Sequence, residues 1–266
     1  MSLVLPSNIR HFLRDQHFEI NEIGQSDATV LITEKFVLKV SEISTESENE
    51  VSLMQGWLVN RLPIPEIIAV ERKTQRLFVL MERLKTHTAA SIELRKQPQQ
   101  LMQALAQALQ QLWAVDICTC PSNQALSQKL PIARHNVENN RIDPFEADAE
   151  TFGPNGFEDP MALLIWLEAN RPTEELVFSH GDFCLPNLFF SQDLKRVTGY
   201  IDLGRAGIAD KYQDIALAYR SLKYNFDGVY DDYRIENAAA TDLFTYLEIT
   251  PDWDKLNYYI LLDELL

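Results

Sequence analysis

Short apolar or β-branched runs separated by turns fill the first third of the chain: Phe18 to Ile20, Ala28 to Thr33, Phe36 to Val40, Glu66 to Glu71 and Leu77 to Met81. Runs of this length and residue type predict the strands of a small sheet. Between them Val51, Met54, Leu58 and Leu62 recur at three- and four-residue steps after the polar stretch Ser44 to Asn49, which predicts one amphipathic helix ended by Pro63. After Met81 the period changes. Gln99 to Val115, Pro160 to Ala169, Asp210 to Lys223, Asp231 to Leu247 and Pro251 to Leu266 carry helical spacing. Three strand-like runs, Leu176 to Phe178, Leu188 to Phe190 and Val197 to Leu203, interrupt the helices, joined by polar loops of the kind that carry reactive groups. The pattern predicts an α+β chain with two lobes. Residues 1–82 form a small β-sheet lobe with one helix, 83–266 a mainly helical lobe, and the hinge lies at about 81–85. No repeat of solenoid or propeller length interrupts this reading.

Composition narrows the partners. The 266 residues hold 39 Asp plus Glu against 24 Lys plus Arg, a formal charge of −15, which repels a phosphate backbone and favours cationic partners over nucleic acid. Apolar runs such as Met161 to Leu167 are far shorter than the roughly 20 residues that span a bilayer. Met1 to Pro6 lack the features of a secretory signal, so a cytoplasmic protein without membrane insertion is expected. Cys118, Cys120 and Cys184 are odd in number and lack a framework spacing, which predicts free thiols. Monomer and dimer both remain open.

The densest reactive run is Ser179-His180-Gly181-Asp182-Phe183-Cys184-Leu185-Pro186-Asn187, followed by Tyr200-Ile201-Asp202-Leu203-Gly204-Arg205. Phosphoryl transfer needs a carboxylate that orients and deprotonates an attacking hydroxyl, and oxygen ligands for the Mg²⁺ carried on a nucleotide. Asp182 fits the base, and Asn187 and Asp202 fit the metal ligands. Asp202 ends an apolar strand, and Gly204 lets the chain turn afterwards. The three are expected to converge on one magnesium-bound triphosphate end. His180 is expected to fix the loop by hydrogen bonding, and Asp214 to anchor its backbone. Neither a P-loop nor a Gly-x-Gly-x-x-Gly motif is present, so the nucleotide must be held another way.

A catalytic loop of His, a variable residue, Asp and a later Asn, then a strand ending in Asp and Gly, resembles the protein-kinase plan. Gly181 in place of the kinase Arg, together with Ile201 to Asp210 and Tyr212-Gln213-Asp214-Ile215-Ala216, resembles the aminoglycoside phosphotransferases. The endings Pro251-Asp252-Trp253-Asp254-Lys255 and Tyr258 to Leu266 resemble the 3′-phosphotransferase subgroup. The likeness is specific from about Glu174 to Leu266 and collinear before it. It implies a kinase-like bilobal fold that uses ATP or GTP with Mg²⁺. It also implies that Lys39 grips the phosphates with Glu50 as its partner, that Ser26 in Gly24-Gln25-Ser26-Asp27 lies over the phosphates, and that the linker backbone at Met81, Glu82 and Leu84 faces the base. Val37 is aliphatic where relatives often stack an aromatic on adenine, which leaves the base open.

An aminoglycoside carries several ammonium groups, so its pocket should be lined with carboxylates. Between Asp143 and Asp159 lie Glu146, Asp148, Glu150 and Glu158 with no Lys or Arg, and the chain closes on Asp263-Glu264-Leu265-Leu266. The resemblance places Asp148, Glu150, Asp263, Glu264 and Leu266 at the antibiotic. Trp253, Leu256, Tyr259, Ile260 and Leu262 are expected to bury one face of the last helix. Arg205 has two readings, a brace on the substrate side next to Asp182 or a partner for a structural carboxylate. The implied reaction carries the γ-phosphoryl group to the 3′-hydroxyl of an antibiotic such as kanamycin or neomycin, giving resistance. The alternatives are a kinase of the same architecture acting on choline or a sugar, and a non-catalytic cation-binding module.

Overall fold

The computed structural model describes residues 5–14, 17–21, 28–145, 147–148 and 150–266. The chain divides into two compact units, Met1–His87 with Leu188–Arg205, and Thr88–Asn187 with Ala206–Leu266. A single boundary near residue 82 is therefore replaced by three crossings. Leu188–Arg205 joins the first unit for physical reasons. The Tyr200 N–H donates to the Pro63 carbonyl at 2.9 Å, and the Thr86 and Thr198 hydroxyls lie 2.5 Å apart. Gly199 packs so tightly that a Cβ there would stand 2.2 Å from Leu84 Cδ1.

In the first unit β1 (Glu19–Asn21), β2 (Thr29–Ile32), β3 (Phe36–Glu42), β4 (Ile67–Lys73) and β5 (Arg76–Glu82) form an antiparallel sheet in the order β1-β2-β3-β5-β4. Side chains alternate between its faces. Leu38, Val40, Phe78 and Leu80 pack with Ile9 and Leu13 of α1 (Ser7–Leu13), whereas Leu77, Val79 and Met81 pack with Val51 of α2 (Thr45–Ser52). Lys39 pairs in register with Val79 and so belongs to the α2 face. A capping box starts α2: Ser44 Oγ accepts from the Ser47 N–H at 3.0 Å, and Ser47 Oγ accepts from the Ser44 N–H at 2.9 Å. The helix ends earlier than its apolar spacing predicts. A π-turn over Leu53–Trp57 takes over, and Leu58 and Leu62 are buried from the turns beyond it.

The second unit is mainly helical. It contains α3 (Ile92–Arg95), α4 (Pro98–Trp113), α5 (Leu126–Glu138), α6 (Pro160–Ala169), α7 (Lys211–Phe226), α8 (Leu243–Leu247) and α9 (Trp253–Asp263). Strand Leu176–Ser179 pairs antiparallel with Gly207–Asp210, which runs directly into α7. Helix α5 was not predicted, because Pro131 breaks its pattern; Leu126, Leu130, Ala133 and Val137 are buried along it. The helix predicted over Asp231 to Leu247 forms only at α8 after a 3₁₀ turn, Ala240–Asp242. Asp231 is instead ion-paired to Arg95, and Asp232 takes a left-handed φ of 58° that an α-helix does not accommodate. On α9, Leu256, Tyr258, Tyr259, Leu261 and Leu262 are buried, while Trp253 at its first turn is half-exposed against Tyr219 and Phe244. None of the three cysteines is in a disulfide among the described residues. Among the described residues no helix is long and apolar enough to cross a membrane.

Asp210, fully buried, caps α7 by accepting from the Tyr212 N–H at 2.7 Å and pairs with Lys255 of α9 at 2.6 Å. Removing one partner of a buried pair leaves an uncompensated charge, which costs about 3–5 kcal/mol. Lys255→Met should therefore lose about 3 kcal/mol in urea unfolding, since two backbone N–H groups still reach the carboxylate. A midpoint equal to wild type would show that the pair contributes nothing.

Candidate active site

In the first unit Lys39 Nζ lies 2.9 Å from Glu50 Oε2 and 2.5 Å from Asp202 Oδ1. The period of two in β3 turns Lys39 toward α2, whose first turns carry Glu50, buried and also accepting from the Leu203 N–H at 3.2 Å. Burial pulls the Lys39 pKa down, but the Glu50 and Asp202 carboxylates overcome it and hold the ammonium above the ordinary lysine range. Burial raises the Glu50 carboxyl, with Lys39 and the Leu203 N–H pulling the other way. Asp202 sits two residues past strand Val197–Tyr200, in a left-handed conformation with φ 62°. The chain thus turns at Asp202 and not at Gly204. Gly204 serves a close approach instead: a Cβ there would lie 2.6 Å from Glu46 Cγ, and its carbonyl accepts from Asn49 Nδ2 at 2.8 Å. Arg205 Nε lies 3.5 Å from Glu46 Oε1, the second of its two readings. Met81 points into the core of this unit. The Glu82 and Arg83 N–H groups donate to Glu66 and Lys35 carbonyls at 2.9 Å each, so Leu84 comes after a stretch whose amides are already engaged. Ser26 lies outside the described residues, as does Glu146.

In the second unit a single carboxylate organises the loop that carries Asp182. Asp214, fully buried on the first turn of α7, accepts from Ser179 Oγ at 2.9 Å, the His180 N–H at 2.8 Å and the Gly181 N–H at 2.9 Å. Burial raises its pKa against the pull of those hydrogen bonds. Gly181 takes φ 83°, a conformation open to glycine, and this is the physical reason for Gly at the position. His180 Nδ1 accepts from the Asp182 N–H at 3.3 Å, and the buried side chains of Phe183 and Leu185 anchor the loop on the far side of Asp182. Asn187 Nδ2 donates to the Asp182 carbonyl at 3.1 Å and to Asp182 Oδ2 at 2.9 Å. The base candidate and its neighbouring amide are thus held together. With its nitrogen committed to Asp182, Asn187 keeps its amide oxygen as a donor for a metal.

Hard oxygen donors suit Mg²⁺, and the Asn187 amide oxygen and the Asp202 carboxylate are of that kind. Among the described residues no group of three or more His, Cys, Asp or Glu forms a metal cluster.

A second cluster in this unit gathers substrate-side candidates. Arg220 of α7 pairs with Asp263, with Glu264 at 3.0 Å and with Asp148 at 4.0 Å. The Tyr224 hydroxyl, one helical turn on, donates to Asp148. Burial raises Glu264 to about 7, opposed by Arg220 and reinforced by Asp148 and Asp263. Glu150 is exposed, and the ion pairs of Arg220 among the described residues do not include it. Leu266 comes directly after Leu265, whose carbonyl accepts from Asn136 Nδ2 at 3.1 Å. Sequence reasoning missed Arg220 and Tyr224. Their i, i+4 spacing puts them on one face of α7, but only the packing reveals that this face meets Asp148.

A model described as the phosphotransferase enzyme family matches residues 17–259. The chain belongs to that family. An aminoglycoside 3′-phosphotransferase of Niallia circulans is 36% identical over 209 residues, 79% of this chain and 75% of that protein. The crystal structure of an aminoglycoside-3′-phosphotransferase of type VIII matches with a TM-score of 0.81 and 26% identity, covering 97% of this chain and 96% of that one. An aminoglycoside phosphotransferase of Streptomyces rimosus, solved with ADP and streptomycin, has a TM-score of 0.77 and 24% identity over 97% of this chain and 96% of its own. The kinase-like α+β fold of this phosphotransferase follows from these likenesses.

Replacing Asp214 by Asn puts an NH₂ group among donors and removes hydrogen bonds worth about 1.5–3 kcal/mol each to a charged acceptor. Asp214→Asn should lower unfolding free energy by at least about 3 kcal/mol in urea titration. Wild-type stability in that variant would remove Asp214 as the organiser of the loop.

Proposed function

We propose that this phosphotransferase moves the γ-phosphoryl group of ATP or GTP to the 3′-hydroxyl of an aminoglycoside antibiotic in the cytoplasm, conferring resistance. The observation that carries the proposal is the Asp214-pinned loop that presents Asp182 beside Asn187. The family and the named relatives support it.

Asp182 orients the attacking hydroxyl and takes its proton late in the transfer, as the sugar oxygen bonds to phosphorus and the bond to the β,γ-bridging oxygen breaks, releasing the nucleoside diphosphate. Lys39, kept charged by Glu50, holds the phosphates. Asn187 and Asp202 would hold Mg²⁺, which would supply neutralisation of phosphate charge. The backbone at Met81, Glu82 and Leu84 lies along the base. Asp148, Glu150, Asp263, Glu264 and the backbone at Leu266 receive ammonium groups. The gathering of three carboxylates around one guanidinium favours a polycation over choline, whose single charge would satisfy one of them.

A coupled ADP-release assay with kanamycin, neomycin, choline and buffer tests the proposal; turnover on choline alone, or on none, refutes it. A positioned base contributes on the order of 10²- to 10⁴-fold, so Asp182→Asn should lose at least that much kcat while nucleotide binding persists. Normal turnover would dismiss Asp182 as the base.

Glu264 adds a pH dependence. With its pKa raised from 4.5 to about 7, its contribution to folding stability is full below about 4.5 and is lost as pH rises through about 7. Capture of a cation runs the opposite way, strengthening as the carboxylate ionises. The ratio of kanamycin affinity in wild type to that in Glu264→Gln should therefore grow between pH 6 and 8, and titration of the antibiotic's own amines cancels in the ratio. A ratio independent of pH would exclude Glu264 as an ammonium contact.

A further inference from the structure

Tyr230 is a large aromatic side chain left 66% exposed, yet it stands on a turn tied by backbone hydrogen bonds. The turn leaves α7 through Gly228, whose φ of 70° and absent Cβ allow Arg234 to close over it. The Val229 N–H donates to the Tyr224 carbonyl at 3.0 Å, and the Ile235 N–H to the Phe226 carbonyl at 2.8 Å. Arg95 fastens the whole. It is 1% exposed, donates from Nε to the Ala90 carbonyl at 2.8 Å and from Nη1 to the Asn225 carbonyl at 2.9 Å, pairs with Asp231, and lies 5.5 Å from the centre of the Tyr233 ring. A buried guanidinium is costly, and apart from the bond to Ala90 its hydrogen bonds go to the turn and its base.

What the turn presents is the Tyr230 ring. It meets the Tyr224 ring edge to face, 6.2 Å between centres at 78°, and Tyr224 in turn donates to Asp148. Tyr230 therefore stands beside the cluster of Asp148, Asp263 and Glu264 that gathers on Arg220. An exposed tyrosine held rigid offers a large contact face at little cost in conformational entropy. Aminoglycoside rings have C–H faces and ammonium groups, which aromatic faces attract.

We infer that Tyr230 is a specificity-determining wall of the substrate site, stacking against an amino-sugar or cyclitol ring, and that Arg95 is the positioning residue that holds it there. The inference rests on the proposed aminoglycoside substrate and adds a contact that selects rings over open-chain polyamines. The acidic cluster alone would take either.

Steady-state kinetics of the full chain with kanamycin and MgATP, with spermidine as a competing open-chain polycation, test it. Tyr230→Ala should raise KM for kanamycin about tenfold while the inhibition constant of spermidine stays within about twofold. Tyr230→Phe, which keeps the ring, should restore KM. Arg95→Lys, with Tyr230 intact, should raise KM in the same selective way; should that variant not fold, the two Tyr230 variants decide alone. An unchanged KM in Tyr230→Ala, or equal loss for kanamycin and spermidine, overturns the inference and leaves the proposed function standing. Wild-type protein inactive on kanamycin brings down the proposed function and this inference with it.

Discussion

One buried carboxylate sets the geometry on which the chemistry depends. Asp214 takes the donors of Ser179, His180 and Gly181 in a site closed to water, so each of those bonds replaces hydration that the loop backbone cannot recover. It sits one turn into α7, and α7 is started by Asp210 at the end of a strand paired with Leu176–Ser179. The strand pair, the helix start and the loop are thus one construction. Asp182 inherits its position from it, and Asn187 closes it from the other end.

The first unit reaches order by a different route. Alternation along β3 and β5 separates an apolar face packed by α1 from a face packed by α2, and Lys39 falls on the second. Its charge is kept by two carboxylates, one supplied by α2 and one by the left-handed residue after a strand. A non-glycine residue in that conformation is uncommon, and aspartate is among those that tolerate it best. The strain is small and is offset by the ion pair it permits.

Much of this was legible in the chain because chemistry and periodicity agree there. The family resemblance locates Lys39 on its strand before any contact is known, and the run from Ser179 to Asn187 combines a glycine with side chains that have few other reasons to stand together. The hidden part depends on packing. Pro131 interrupts the pattern of α5 although the helix forms around it. Gly204 looks like a turn residue, and only its contact with Glu46 shows that missing volume is the point. Asp231 to Ala239 carry helical spacing but answer to Arg95, a residue remote in sequence. Arg220 and Tyr224 read as ordinary positions on an amphipathic helix until their face is seen to meet Asp148.

Helix α2 touches the segment after Asp202 through Glu46, Asn49 and Glu50, positions spaced to share one stripe of the helix. An outward swing of that helix would strip the Gly204 carbonyl and the Leu203 amide of their partners together. The Lys39–Glu50 pair is therefore a standing feature of the resting protein, and no incoming signal has to assemble it. The lysine is thus charged and in place before any ligand arrives.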